Sequence, residues 1–329
     1  MDSRETKRTV PVPSVGADGE QPISQTPTAS ITEETTENNP PEKNYAELLR
    51  KMQRMNDPAY LPTISMNELY ENVYQSRPPV IDGLLYPGTY LFAGAPKVGK
   101  SFLMAQLAYH VSMGLPLWDY PVHKGTVLYL ALEDDHRRLQ ERLYRMFGMD
   151  GTNDLLFSIC AKQVGNGLEE QLKRFVQEHP DTKLIIIDTL QKIREAGGDK
   201  YSYANDYEVV GKLKRLADAC GVCLLLVHHT RKQQADDKFD MISGTNGLSG
   251  AADGAFLLQK EKRTDGTATL DVVGRDQQDQ RLYLIKDKEH LTWTLERMET
   301  ELWVEPPDPV LEAVAAFITA ERPAWGRAA

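Results

Sequence analysis

The stretch TYLFAGAPKVGKSFLMAQLAYHVSMG, residues 89–114, decides the fold. TYLFAGA reads as a buried strand running directly into a glycine-bearing loop, and SFLMAQLAYHVSMG as a helix ended by Gly114. Between them GAPKVGKS, Gly94 to Ser101, fits GxxxxGK[ST] without a mismatch. A random chain of this length would carry such a match roughly once in a hundred. Strand, loop and helix in that order is the context a phosphate loop needs. Backbone amides at the helix N-terminus face the phosphates, where the helix dipole favours negative charge. Lys100 is expected to reach the outer phosphates and the Ser101 hydroxyl to ligate Mg²⁺. The nucleotide contacts expected are Gly94, Ala95, Pro96, Lys97, Val98, Gly99, Lys100, Ser101 and Phe102. The bland reading is a glycine turn beside a helix cap.

Outward from this loop, apolar runs alternate with helical patterns: TVLYLAL, DHRRLQERLYRMFG, LLFSI, LEEQLKRFVQEH, LIIID, YEVVGKLKRLADAC and VCLLLVHH. Near-continuous apolar strands separated by helices predict an α/β fold, a mainly parallel sheet buried on both faces. FLLQK, TLDVVGRD, RLYLIKD and LTWTLE then follow with turns and no helices, an antiparallel C-terminal extension of the same sheet.

Three strand tips carry chemistry. LIIIDT offers Asp188 as the carboxylate that completes a magnesium site, because Mg²⁺ keeps waters and takes few protein ligands. LALEDD offers Glu133 as the catalytic carboxylate at the carboxyl edge of the sheet, with Asp134 and Asp135 capping the next helix. VCLLLVHHT puts His228 and His229 at a third tip. Strand alternation sends the two rings opposite ways without saying which faces the phosphate; His228 is favoured as the one that senses the terminal phosphate, with His229 as the alternative.

The remainder bounds the function. The net charge of −10 argues against a protein coated in basic surface for nucleic acid, without excluding a local basic channel. No run approaches the roughly 20 apolar residues of a membrane span, and with no apolar segment behind Met1 the chain reads as cytoplasmic. Cys220 and Cys223 form CGVC, but the pair lies where a helix ends and a strand begins, so structural cysteines are expected. Residues 1–42 are rich in Ser, Thr, Pro, Gly and Glu, with few apolar side chains to bury, and are expected to be a disordered tail. Residues 43–75 are expected to hold two short helices, one with Tyr45, Leu48, Leu49 and Met52 on a single face. Residues 76–298 would form the core domain, and 299–329 a C-terminal helix, VLEAVAAFITA, followed by the end of either a module cut short or a disordered tail.

The series GAPKVGKS, LYLALEDD, LIIIDTLQ, LLLVHHTRK, ISGTNGLSGAAD and VVGRDQQD resembles the RecA-like P-loop ATPases of the AAA family, in the group of RepA-type hexameric replicative helicases. The resemblance covers roughly residues 65–290. It implies an ATPase with Mg²⁺ as cofactor, a homo-oligomer built as a hexameric ring, and single-stranded DNA as partner. By position it implies Arg275 as the arginine that reaches the neighbouring subunit's ATP, with Arg231 and Lys232 as alternatives for phosphate or DNA. It also implies that GTNGLSGAAD is a mobile loop on the DNA path. That segment carries no aromatic platform and no cation, so DNA contact comes from the resemblance alone.

Overall fold

The computed structural model describes residues 42–74, 77–194, 203–230, 238–242, 247–260, 262 and 265–300. The expectations for the N-terminal tail, for Arg231 and Lys232, for the start of GTNGLSGAAD and for VLEAVAAFITA lie outside these residues. The chain divides into two units, Met1–Tyr74 and Gln75–Ala329.

In the first unit, α1 (Glu42–Met55) leaves Tyr45, Leu49 and Met52 exposed. Helix α2 (Met66–Glu71) starts on the capping box that Ser65 and Glu68 predict: the Ser65 hydroxyl accepts from the Glu68 amide at 3.2 Å, and the Glu68 carboxylate accepts from the Ser65 amide at 2.8 Å.

The second unit is built on one sheet. Its strands are β1 (Gly88–Gly94), β2 (Thr126–Ala131), β3 (Leu155–Ser158), β4 (Thr182–Asp188), β5 (Cys223–His229), β6 (Gly254–Gln259), β7 (Thr267–Gly274), β8 (Gln277–Lys286) and β9 (Trp293–Thr300). The order across the sheet is β3-β2-β4-β5-β1-β6-β7-β8-β9. From β3 to β6 in this order every pair is parallel, and from β6 to β9 every pair is antiparallel. FLLQK stands at the junction: it pairs antiparallel with β7, as expected, but parallel with β1, so the antiparallel extension starts only on its far side. It is preceded by a short helix, α8 (Gly247–Ala251), which returns the chain to the same end of the sheet. The described end of GTNGLSGAAD is accordingly helical, because Leu248 and Ala251 bury among apolar side chains of the next layer.

Helices α3 (Lys100–Met113), α4 (His136–Phe147), α5 (Leu168–Glu178), α6 (Leu190–Ile193) and α7 (Tyr203–Cys220) complete the layers. Leu103, Met104, Leu107 and Val111 of α3 pack on one sheet face; Leu168 and Leu172 of α5 and Val210, Leu213 and Leu216 of α7 pack on the other. Each such side chain contributes about 1.5–3 kcal/mol by leaving water, which is why the central strands read as unbroken apolar runs. Alternation then assigns the strand tips. Leu184 and Ile186 face α3, and so does Asp188; Cys223, Leu225 and Val227 face α3, and so does His229. Leu224 and Leu226 face the other layer, and His228 follows them. Cys223 is fully buried, its thiol pushed up by burial, while Cys220 is half-buried and Cys160 exposed.

The antiparallel extension is fastened to the phosphate-loop helix. Gln106 of α3 accepts from the Trp293 amide at 2.7 Å and donates to the Trp293 carbonyl at 2.8 Å. The buried Trp293 ring fills the space under Gly99, where a Cβ would stand 2.9 Å from it. Gly99 also has φ +110, so only glycine suits the position on both counts.

Candidate active site

β1 lies between β5 and β6, and its carboxyl end opens into the loop 95–99. Open α/β sheets hold ligands at such an edge. There a cleft of about 580 Å³ is lined by the phosphate loop, Phe102, Glu133, Asp134, Arg138, Arg142, Asp188, Thr189, His229 and Lys286. Five cations and three carboxylates line it, a locally positive site in an acidic chain.

Lys100 is buried at the start of α3. Its ammonium donates to the Gly94 carbonyl at 2.7 Å and the Ala95 carbonyl at 3.0 Å, and lies 3.1 Å from His229 Nδ1. An ammonium only donates, so Nδ1 accepts, and the ring is the neutral tautomer with its proton on Nε2. Burial, and next the charge of Lys100, hold the His229 pKa below the usual value, in keeping with that state. Burial likewise pushes Lys100 down to about 8, against the pull of Asp188 and Glu133. Bound phosphate would favour the ammonium, so above pH 8 binding must take up a proton. ADP affinity is therefore expected to fall by up to about tenfold per pH unit above pH 8. Calorimetry in buffers of different ionisation enthalpy checks this; a constant affinity from pH 7.5 to 9.5 would contradict it. Folding has the opposite sign. Between the folded value of about 8 and the unfolded 10.5 the unfolded chain holds more protons, so this residue's contribution to stability rises with pH across that window.

Asp188, at the tip of β4, is 7% exposed. It accepts the Tyr129 hydroxyl at 2.9 Å and the Ser101 side-chain hydroxyl, while burial raises its pKa. Among the described residues no group of three or more His, Cys, Asp or Glu side chains could hold a metal. One hydroxyl and one carboxylate already in contact instead match a hard, mostly hydrated Mg²⁺, and the site fits that ion.

Glu133, exposed just past β2, is met by the Thr189 hydroxyl at 3.4 Å. Asp135 accepts from the Arg138 amide at 2.8 Å and caps α4, as expected. Asp134 does not cap. It holds Arg142 at 2.6 and 3.2 Å in the wall of the cleft.

Two expected residues are not part of this cleft. His228 faces away from Lys100, its Nδ1 buried without a hydrogen-bond partner and its pKa pushed down to about 4 by burial, then by Arg194. His229 stands in the place expected of His228. Arg275 lies at the opposite end of the sheet: it follows Gly274, which pairs with Gly254, and Gly254 pairs with Tyr90 near the start of β1. Tyr129, Thr189, Arg138, Arg142 and Lys286 were not anticipated. Tyr129 looks like any core tyrosine in TVLYLAL, and nothing in RLYLIKD marks its lysine.

A family model described as an AAA domain matches residues 56–235. No curated protein matches the chain. Among solved structures, the ATPase domain of G40P is similar at 14% identity and a TM-score of 0.55, covering 78% of this chain and 99% of that one. A DnaB-like replicative helicase, described with its interactions with primase, is similar at 15% identity and a TM-score of 0.55, covering 76% of this chain and 71% of that one. Both likenesses lie in the fold, a RecA-like P-loop core. The family match runs through all of β1 to β5 and takes in every residue lining the cleft except Lys286, and by it the chain belongs to the AAA domain family.

Proposed function

We propose that the chain is a Mg²⁺-dependent ATPase whose turnover drives a ring-shaped helicase or translocase along single-stranded DNA. The observation that carries this reading is the convergence of Lys100, Ser101, Asp188, Glu133 and His229 at one sheet edge while Arg275 stands exposed at the other. Arg275 stands too far along the sheet to serve its own chain's cleft, and a head-to-tail ring would bring it to the cleft of the next copy. Six subunits follow from the family resemblance, and α1, with its exposed apolar stripe, suits an arm between them. The setting is cytoplasmic replication of a plasmid or other mobile element; no helix among the described residues is long and apolar enough to cross a membrane.

In this reading Lys100 leaves the Gly94 and Ala95 carbonyls for the outer phosphates, and the loop amides hold the inner ones. Ser101 and Asp188 would hold Mg²⁺, which when bound draws charge from the phosphate oxygens. Glu133 orients the attacking water and takes its proton. His229, with Nε2 protonated, donates to a terminal phosphate oxygen and loses that contact once phosphate leaves. ATP turnover with and without single-stranded DNA, at low and moderate salt, tests the proposal. Turnover raised by DNA, less so as salt rises, is expected. Turnover indifferent to DNA would instead mean a regulatory or assembly ATPase that does not unwind.

A further inference from the structure

Lys286 has no role in the scheme above, yet it lines the same cleft from the far end of β8. Its backbone is fixed on both sides: its amide donates to the Gly266 carbonyl at 2.7 Å, and it pairs with Trp293 of β9. Its ammonium lies 4.2 Å from the centre of the Phe102 ring and 5.7 Å from that of Trp293. Among the described residues it has no carboxylate partner. The acid next in the chain, Asp287, is turned to His290 Nδ1 at 2.9 Å and to the Glu289 amide at 2.7 Å. Across the cleft, Arg142 approaches the same Phe102 ring at 5.3 Å but is neutralised by Asp134.

An unpaired, half-buried ammonium is costly, and aromatic faces offset only part of the cost. Burial pulls the Lys286 pKa down, and the like charges of Lys260 and Arg145 add to the pull. Each of these strains is relieved by an anion bound in the cleft. Which anion follows from the phosphate loop: Lys100 and Ser101 serve the outer phosphates and the metal. Lys286 meets the cleft at Phe102, one residue past Ser101, which leaves it the phosphate that those two do not serve. We infer that Lys286 pairs with the inner phosphate of the bound nucleotide, the one attached to the nucleoside, and so sets affinity for ATP and ADP alike.

This inference rests on the reading of the cleft as an ATP site and adds a second lysine to it, one supplied by the antiparallel extension. Because the inner phosphate is present before and after hydrolysis, the contact is uniform binding: it lowers KM without touching the chemical step. The test is Lys286→Met, which keeps an unbranched stem against Phe102 and Trp293, compared with Lys286→Arg, which keeps the charge. Dissociation constants for ATP and ADP are measured by calorimetry with Mg²⁺, alongside steady-state turnover and a thermal melt without nucleotide. For Lys286→Met, affinity for both nucleotides should fall by roughly tenfold to a hundredfold. KM should rise to match, kcat at saturating ATP should hold within about twofold, and Lys286→Arg should restore most of the binding. Unchanged affinity, a loss confined to ATP, or a fall in kcat at constant KM would each overturn the inference. Should Lys286→Met fail to melt cooperatively, Lys286→Gln carries the same comparison. A wild-type chain that binds neither nucleotide would sink the ATP site itself, which is a different result from a wild type that binds both and a variant that binds them equally well.

Discussion

Arg275→Ala should abolish most ATP turnover while leaving nucleotide binding intact, with kcat lower by about 10³–10⁵ as expected for loss of an arginine that stabilises the transferred phosphoryl group. The residue stands at the turn between β7 and β8, its guanidinium largely exposed and 3.8 Å from Asp253 Oδ1. Its own amide donates to the Asp253 carbonyl at 2.9 Å. Asp253 is itself anchored by the Thr89 amide at 2.9 Å and by Lys214, so the turn is held in place and its side chain is left available. The distance to the chain's own phosphate loop is set by the register. Gly254 stands beside Tyr90, four residues before Gly94, and at about 3.3 Å per residue this span already exceeds the reach of an arginine from beyond the strand's start. In the proposed ring its effect would therefore be exerted on another copy. Mixing Arg275→Ala subunits with Lys100→Met subunits tests this directly. Each supplies what the other lacks at a shared interface, so the mixture should recover turnover that neither variant shows alone. An Arg275→Ala chain that turns over within twofold of wild type would remove the residue from catalysis.

The second large effect is expected at Glu133. Glu133→Gln preserves size and hydrogen bonding but cannot accept a proton, and kcat should fall by about 10²–10⁴ with ATP affinity retained. The structure supports the choice among three adjacent acids. Asp135 is spent on capping α4 and Asp134 on Arg142, whereas Glu133 is met among the described residues by the Thr189 hydroxyl at 3.4 Å and stays open to the cleft. Single-turnover measurements separate the chemical step from release; unchanged single-turnover rates in Glu133→Gln would refute the assignment.

The parallel core was legible because strands buried on both faces carry a distinctive unbroken run of apolar residues, as in LIIID and VCLLLV. GAPKVGKS fixed one edge of the sheet, and with it the strand tips that could carry chemistry. What failed needed knowledge of register. His228 and His229 are equivalent in sequence until β5 is aligned with β4, where Asp188 pairs with Val227 and so shares a face with His229. The parallel pairing of FLLQK with β1 was missed for a related reason: strand composition does not reveal pairing direction, and the short α8 before it was hidden in a run of Gly and Ser. Asp134 resembles a cap because Asp commonly is one, and its partner Arg142 lies eight residues away on the next helix. Lys286 was invisible because its meaning depends on Phe102, far away in the chain, and on the absence of a nearby acid.

The most direct measurement is a structure determined with Mg²⁺ and a non-hydrolysable ATP analogue. The outer phosphates should lie against Lys100 Nζ, with the metal on the Ser101 hydroxyl, Asp188 beside it and His229 facing the terminal phosphate. An analogue lodged elsewhere, for instance in the largely apolar cleft of about 420 Å³ lined by Tyr109, Leu143 and Phe147, with Lys100 still bound to the Gly94 carbonyl, would contradict the assignment of these strand tips to ATP.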